Sequence, residues 1–449
     1  MKYQLKKWCQ IYLTIGLLGC IQATTAFASQ NAVVTLRANN NAHEESRAIS
    51  ANPASVNIFV GTGLAQSYVE KKLGIQDDHG VRIGGMLLGD MNYLFSGGVP
   101  DAERWTNNGL FLADLSINTE KAFGLTGGLF DVQFLQFNGQ ATNAQAGSVQ
   151  GYNSLPGAPP LNRSELYQLW YRQELFSKKL IIRVGKTVPT FDFGNVIRPI
   201  PLASTDPDIS AVTSLLYTPI FVNPSMLGVM PGYYNSAYGV TVSVSPIKTW
   251  YLTYGIYDGN LAQGKQTGLT GPTFNGAYFN IAETGIDWLL GKNKLPGTIG
   301  IGAWYQSGRV ENGPTLSEQG ASGYYIFGSQ RLWYKNPSYD SSGISGFYQY
   351  GENNSNVLPM TKYVGAGLTA FGLMPQRLND SMGAGVAYSW LDQTSFSRQH
   401  ELMYQAYYQA QVLKNIFYLE PAISYIPAPG ASAGLEAAWA GTLRAILLF

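Results

Sequence analysis

The sequence predicts an all-β fold, a transmembrane antiparallel β-barrel of about sixteen strands, with a short N-terminal helix ahead of it. The first observation is compositional. Only 13% of the 449 residues are charged, 51 are Gly and 29 are Tyr, and the mean hydropathy lies close to zero. A soluble chain with so little charge lacks the polar groups to cover its surface, and a helical membrane protein is far more apolar. The second is a repeated two-residue alternation of polar and apolar side chains. The third is a closing segment that alternates to its last residue, Phe449.

The chain opens with Lys2, Lys6 and Lys7, an apolar run from Ile11 to Ile21, and Ala26-Phe27-Ala28. This is the layout of a secretory signal peptide, residues 1–28, with the mature chain expected to begin at Ser29. Leu17-Leu18-Gly19-Cys20 also resembles a lipoprotein box, but a bulky Leu stands two before the cysteine. Both cysteines, Cys9 and Cys20, fall inside the leader, so the exported chain is expected to carry no disulfide. Removing three lysines and no acids leaves 26 basic against 28 acidic residues, which gives no indication of a nucleic-acid partner. No run of about twenty apolar residues follows, so spanning helices are not expected.

Residues 29–79 read as a periplasmic arm. Asn39 to Ser55 is polar. Thr62 to Leu73 reads as a short helix, capped by Thr62, with Leu64, Tyr68, Val69 and Leu73 on one face and Gly74 at its end.

The barrel is expected over residues 80–449. In Asp114 to Glu120 the even positions are polar and the odd ones, back to Phe111, mostly apolar. The same pattern recurs at Phe130 to Phe134, at Gln168 to Glu174 and at Glu283 to Leu290. Strands are predicted at 81–95, 109–120, 128–138, 165–175, 180–193, 236–245, 249–258 and 280–290, then at 298–306, 323–335, 344–352, 362–372, 382–389, 400–411, 415–426 and 434–449. That even number returns both ends of the chain to one side. Connections alternate between long ones, such as Gly139 to Ser164 and Gly194 to Asn235, and short ones, such as Ser177 to Lys179 and Pro246 to Lys248. External loops and periplasmic turns differ in this way. In the last strand Trp439, Leu443, Leu447 and Phe449 share one face, with Thr442 and Arg444 on the other.

Several spaced motifs then resemble a known family. They are Leu73-Gly74-Ile75, Asn92, Ser96-Gly97-Gly98, Leu166 to Tyr171, Leu180 to Lys186, Asp192-Phe193, Leu419 to Ile426, Gly441 and Arg444. Together they resemble the carbohydrate-selective porins of the OprB type. The resemblance implies a sixteen-stranded barrel and facilitated diffusion of sugars such as glucose. Residues from about Asn260 to Gly320 carry no alignable motif.

Alternation assigns Arg82, Asp90, Asp114, Glu120, Asp131, Arg172, Glu174, Arg183, Glu283, Asp287 and Arg444 to the lumen, because a charge facing mid-bilayer lipid costs about 2–4 kcal/mol. Opposed acids and bases across a pore order water and favour hydroxyl-rich solutes, or else pair to stabilise the wall. The candidates for lining the pore and binding sugar are Arg82, Asp114, Asp131, Trp170, Arg172, Glu174 and Arg183. In this reading Trp170 offers a ring on which a sugar face stacks, or else joins the interfacial girdle. Asp131 and Glu174 hold the guanidinium groups of Arg172 and Arg183. The connection Gly194 to Asn235 holds Pro199, Pro201, Pro207, Pro219, Pro224 and Pro231 together with apolar stretches at Leu215 to Tyr217 and Pro219 to Val222. Folding inward explains that apolar content; an outward cap or an oligomer contact is the alternative.

Enzymatic readings find little support. The three histidines, His43, His79 and His400, stand beside no nucleophile, and no ligand cluster has metal spacing. No cofactor is expected. The expected partners are small sugars as solutes, outer-membrane lipid and lipopolysaccharide, and the barrel-insertion machinery, with a homo-oligomer left open. A general small-solute porin and a plugged structural or adhesin barrel remain the alternatives.

Overall fold

The computed structural model describes residues 68–75, 79–156, 161–194, 196, 213–230, 235–259, 271–274, 276–312, 316–337, 342–413 and 416–449. The leader and Thr62 lie outside them. Of the expected N-terminal helix the described part is α1, Tyr68–Leu73, six residues long. No described helix is long and apolar enough to cross a membrane.

The described strands are β1 (Val81–Ser96), β2 (Trp105–Asn118), β3 (Gly128–Asn138), β4 (Asn162–Leu175), β5 (Leu180–Thr187), β6 (Ala237–Ile247), β7 (Trp250–Asp258) and β8 (Tyr278–Leu290). Then come β9 (Leu295–Asn312), β10 (Leu316–Tyr334), β11 (Gly343–Asn353), β12 (Met360–Phe371), β13 (Ser381–Leu391), β14 (His400–Leu413), β15 (Phe417–Ile426) and β16 (Ala438–Leu448). Each pairs antiparallel with its neighbours in sequence, and β1 pairs with β16, giving a closed sixteen-stranded barrel. We call the end from which β1 rises and to which β16 returns the lower end.

The two-residue period is what makes these strands. In β2 the side chains of Thr106, Asn108, Asp114 and Ser116 are buried within the barrel, while Trp105 and Leu115 point out. In β16 Thr442 and Arg444 are buried, and Trp439, Leu443 and Leu447 are exposed. The outer face is therefore the apolar one. Near the upper end it carries aromatic pairs: Tyr93 with Trp105 at 4.6 Å, Tyr388 with Trp390 at 4.5 Å, and Tyr425 with Trp439 at 4.4 Å. Amphipathic rings at that level suit a membrane interface.

The lumen side of β6–β13 explains why Gly and aromatic residues are so frequent. Aromatic rings lie flat across glycines of the next strand. A Cβ on Gly285 would fall 2.5 Å from Tyr251, one on Gly302 2.2 Å from Tyr325, one on Gly300 2.4 Å from Phe327, and one on Gly367 2.5 Å from Phe347. Any larger residue would lift its ring into the channel.

The structure moves several strand ends, running β9 on to Asn312 and β10 back to Leu316, and two of the corrections have a clear local cause. β5 stops at Thr187 and not at residue 193, because Pro189 opens a 3-10 turn, Pro189–Phe191. β2 stops at Asn118, whose Oδ1 accepts the amides of Glu120 and Lys121 at 3.0 Å, capping a second helix, α2, Thr119–Phe123. Glu120 is consequently exposed on this helix and does not face the lumen. Connection lengths are also less regular than expected. At the upper end Asn312 is followed by β10 after three residues, whereas Gly372 to Asp380 spans nine at the lower end.

The seam between β1 and β16 runs from Met86 opposite Leu448 to Ser96 opposite Trp439. Phe449 extends it: its amide donates to the Gly85 carbonyl at 3.1 Å and its carbonyl accepts from Gly85 at 2.9 Å. Its ring stacks on Phe111 at 5.9 Å. Asp90 and Arg444 face each other across the seam in a two-point ion pair, 2.8 Å at each contact. A ladder with no edge resists detergent. In detergent gels the unheated protein is expected to migrate faster than the boiled one; equal mobility would count against a closed barrel.

Candidate functional site

The connection between β5 and β6 enters the barrel. Its described parts, residues 188–194, 196, 213–230 and 235–236, bring Phe193, Leu215, Tyr217, Ile220 and Met226 into one buried cluster with Tyr257, Phe279, Trp304, Tyr325, Phe347 and Tyr363 of the wall. The apolar content of this connection is thus the surface that packs on the flat aromatic wall. Folded across a lumen, such a segment narrows it.

Polar wall residues fix its course. Glu283 of β8 accepts the Gly194 amide at 2.6 Å and the hydroxyls of Tyr251 and Tyr325 at 2.6 and 2.8 Å. Gln405 of β14 accepts the amides of Leu216 and Tyr217 at 2.5 and 3.2 Å. Asn353 of β11 donates to the Ser225 carbonyl at 2.7 Å.

A second connection, between β3 and β4, folds in beside it. The Ser154 amide donates to the Leu216 carbonyl at 2.7 Å, and the Thr218 amide to the Gly151 carbonyl at 3.0 Å. Glu401, fully buried on β14, is the anchor. It accepts Ser148 Oγ at 2.8 Å and the amides of Val149, Gln150 and Gly430 at 2.9, 3.1 and 2.6 Å. Asn153 reaches the seam, donating to Asp90 and Asn92 at 2.8 Å each.

The charged wall lies on β2–β5. Asp131 stands opposite Trp170, and Arg172 opposite Arg183. Arg172 pairs with Glu174 at 3.1 Å. Arg183 pairs with Asp192, at the start of the inward connection, at 2.6 Å. Its guanidinium carbon lies 4.9 Å from the Trp170 ring. Asp114 accepts from Gln133 at 2.9 Å, and Gln168 donates to Gln133 at 2.5 Å. Gly185 permits this crowding: it adopts φ +136°, and a Cβ there would meet the Leu169 carbonyl at 2.3 Å and Trp170 Cα at 2.7 Å.

Some of the buried donors and acceptors without a hydrogen bond line this wall, and others lie elsewhere in the lumen. Those on the wall include both oxygens of Asp131, Oδ2 of Asp114, Nε1 of Trp170, Nε of Arg183 and Oδ2 of Asp192, with the Asp114 and Asp131 carboxyls within reach of each other. Such atoms are expensive to leave unsatisfied, about 1–3 kcal/mol each.

All seven candidate residues lie in β1–β5, with different surroundings. Asp114, Asp131, Trp170, Arg172 and Arg183 are buried together, and Glu174 is half-buried beside Arg172. Arg82 is lower and partly exposed, paired with Glu70 of α1 at 3.0 Å. The expected clamp is corrected in one respect: Glu174 holds Arg172, but Asp192 and not Asp131 holds Arg183. Trp170 presents its ring to Arg183, so the group it has to offer is Nε1–H.

Sequence reasoning missed a second charged group. Arg163 pairs with Glu165 at 3.0 Å, and Lys186 lies 4.0 Å from Glu165, all three buried. A bulge in β4 between the residues facing Gln133 and Phe134 puts odd-numbered Arg163 and Glu165 on the same face as even-numbered Gln168 and Trp170. Glu401 and Glu420 were missed as well. Both sit at lumen parity in strands that were read correctly, so alternation alone was sufficient to find them.

Residues 102–446 match the model of the carbohydrate-selective porin, OprB family. Among solved structures, the high-pH structure of Pseudomonas putida OprB superposes with a TM-score of 0.72 at 16% identity, covering 87% of this chain and all of that one. The low-pH structure of the same protein gives 0.53 at 13% identity, covering 88% of this chain and 99% of that one. No curated protein sequence matches.

Proposed function

The chain belongs to the OprB family of carbohydrate-selective porins, and from that premise we propose that its constriction passes small neutral sugars by diffusion, with the β2–β5 wall as the surface they exchange water for. A barrel of this family is an outer-membrane channel rather than an enzyme. The observation that supports the sugar-contact reading is the set of buried, unsatisfied donors and acceptors around Asp131, Trp170 and Arg183.

A sugar hydroxyl carries one donor and two acceptor lone pairs, so one ring answers carboxylate oxygens and N–H groups in the same passage. An ion meets one attractive and one repulsive sign among Arg183, Asp192, Arg172 and Glu174, and gains less. The inward connection, apolar toward the β6–β13 wall, holds the passage narrow and bears the solute toward the charged side. In this proposal residues 1–28 are a cleaved export signal and residues 29–79 a periplasmic arm.

Liposome swelling tests the reading. Monosaccharides are expected to enter several-fold faster than amino acids of similar size, and trisaccharides to be excluded. Equal rates for sugars and amino acids would indicate a general small-solute porin. A channel silent in both swelling and conductance would indicate a plugged barrel.

A further inference from the structure

Arg331 lies on the lumen side of β10, away from the charged wall of β2–β5, and is fully buried. Its guanidinium carbon sits 5.0 Å from the Tyr334 ring and 5.1 Å from the Phe371 ring. Nε, Nη1 and Nη2 have no hydrogen-bond partner. Beside it in register stands Ser345 of β11, also fully buried, and its Oγ is likewise unsatisfied.

This arrangement differs from that of the other buried arginines among the described residues. Arg163 has Glu165, Arg172 has Glu174, Arg183 has Asp192 and Arg444 has Asp90. On the lumen face near Arg331, its own strand and its neighbours offer the hydroxyls of Ser329, Thr298, Ser345 and Thr369, and a buried carboxylate on that side, Asp287, stands two strands away on β8, opposite Thr298. Arginine does not shed its proton. The aromatic faces attract the cation but give its N–H groups no lone pair, and the Tyr334 hydroxyl is near enough to answer only part of the fork. Most of the donors in their planar fork are left asking for an anion.

We propose that Arg331 and Ser345 form an anion-binding subsite of the channel, and that its ligand is a planar carboxylate carried by a sugar acid. Two features favour a carboxylate on a sugar. The fork of a guanidinium matches two carboxylate oxygens, and the surrounding hydroxyls match the rest of the ring. The two rings that close over Arg331 belong to the terminal residues of their strands, Tyr334 ending β10 and Phe371 ending β12. Rotating them about their side-chain bonds would open Arg331 to the lumen without breaking the ladder. The proposal rests on the sugar-channel reading and adds a charge class to it.

The test is block of single-channel current by potassium glucuronate, glucose and glucose phosphate at equal concentrations. Wild type is expected to be blocked by glucuronate roughly tenfold more strongly than by glucose, the size of one charge-assisted hydrogen bond. Arg331→Gln is expected to abolish that preference and leave glucose block unchanged, while Arg331→Lys retains part of it. Ser345→Ala, which barely alters volume, is expected to weaken glucuronate block about threefold, and serves if Arg331→Gln does not insert. Equal block of wild type by glucuronate and glucose overturns the proposal, as it would if a carboxylate of the chain itself filled the subsite. The same preference in Arg331→Gln also overturns it, and stronger block by glucose phosphate overturns the assignment to a carboxylate. Absence of glucose block in wild type bears on the sugar-channel reading instead.

Discussion

Replacing Glu401 with Ala is expected to raise ion conductance severalfold and to abolish saturation by sugar, while the barrel still inserts. One carboxylate holds two connections by four donors: Ser148, Val149 and Gln150 from one, Gly430 from the other. Hydrogen bonds to a charged group contribute about 1.5–3 kcal/mol each, less where water can replace the partner. Loss of all four removes on the order of 3–5 kcal/mol of anchorage, enough to release a loop but not a closed ladder. Because residues 148–154 also brace Leu216 and Thr218, the narrowing segment loosens with them. Glu401→Gln keeps the shape and one carbonyl acceptor, and an intermediate conductance is expected. Single-channel recording and protease sensitivity of the connections check this; an unchanged conductance in Glu401→Ala would assign the anchorage to Gln405 and Asn353.

The double variant Arg172→Ala with Arg183→Ala is expected to shift the reversal potential under a salt gradient toward cation preference and to weaken sugar block by about tenfold or more. Asp114, Asp131, Glu174 and Asp192 would remain, now without the guanidinium groups that balance them. The single changes are expected to differ. Arg172 pairs within its own strand, with Glu174, whereas Arg183 pairs with Asp192 on the inward connection. Arg183→Ala should therefore also increase current noise, and Arg172→Ala should not. Unchanged reversal potential and sugar block in the double variant would place the selective surface elsewhere in the lumen.

Alternation made the barrel legible because each strand meets two solvents, and a period of two survives wherever pairing is regular. It failed where local backbone chemistry overrode the period. Glu120 keeps the parity of Asp114 and Ser116, but the Asn118 cap had already ended the strand. Arg163 and Glu165 have the wrong parity for Trp170, and only the bulge unites them. The inward course of residues 213–230 was legible as apolar residues in a Pro-rich connection. Its anchors were not, since Gln405 and Asn353 are ordinary polar residues until the fold brings the connection to them. Asp192 was visible as a motif residue, but its partner was set by a turn that alternation does not report.

The pairing of β1 with β16 has a consequence in time. Asp90 and Arg444 are 354 residues apart in the chain, so the seam cannot form until β16 has reached β1. Until then β1 waits with one row of amides and carbonyls unmatched, an edge that other strands could join. Closing so long a loop costs entropy that no local contact returns in advance, which makes closure slow and nearly all-or-none. Phe449, just beyond β16, also bonds Gly85 at the start of the seam. A chain lacking it would have to complete the circle with its final clasp missing. The fault should therefore appear as fewer barrels finished, and far less as finished barrels that fall apart.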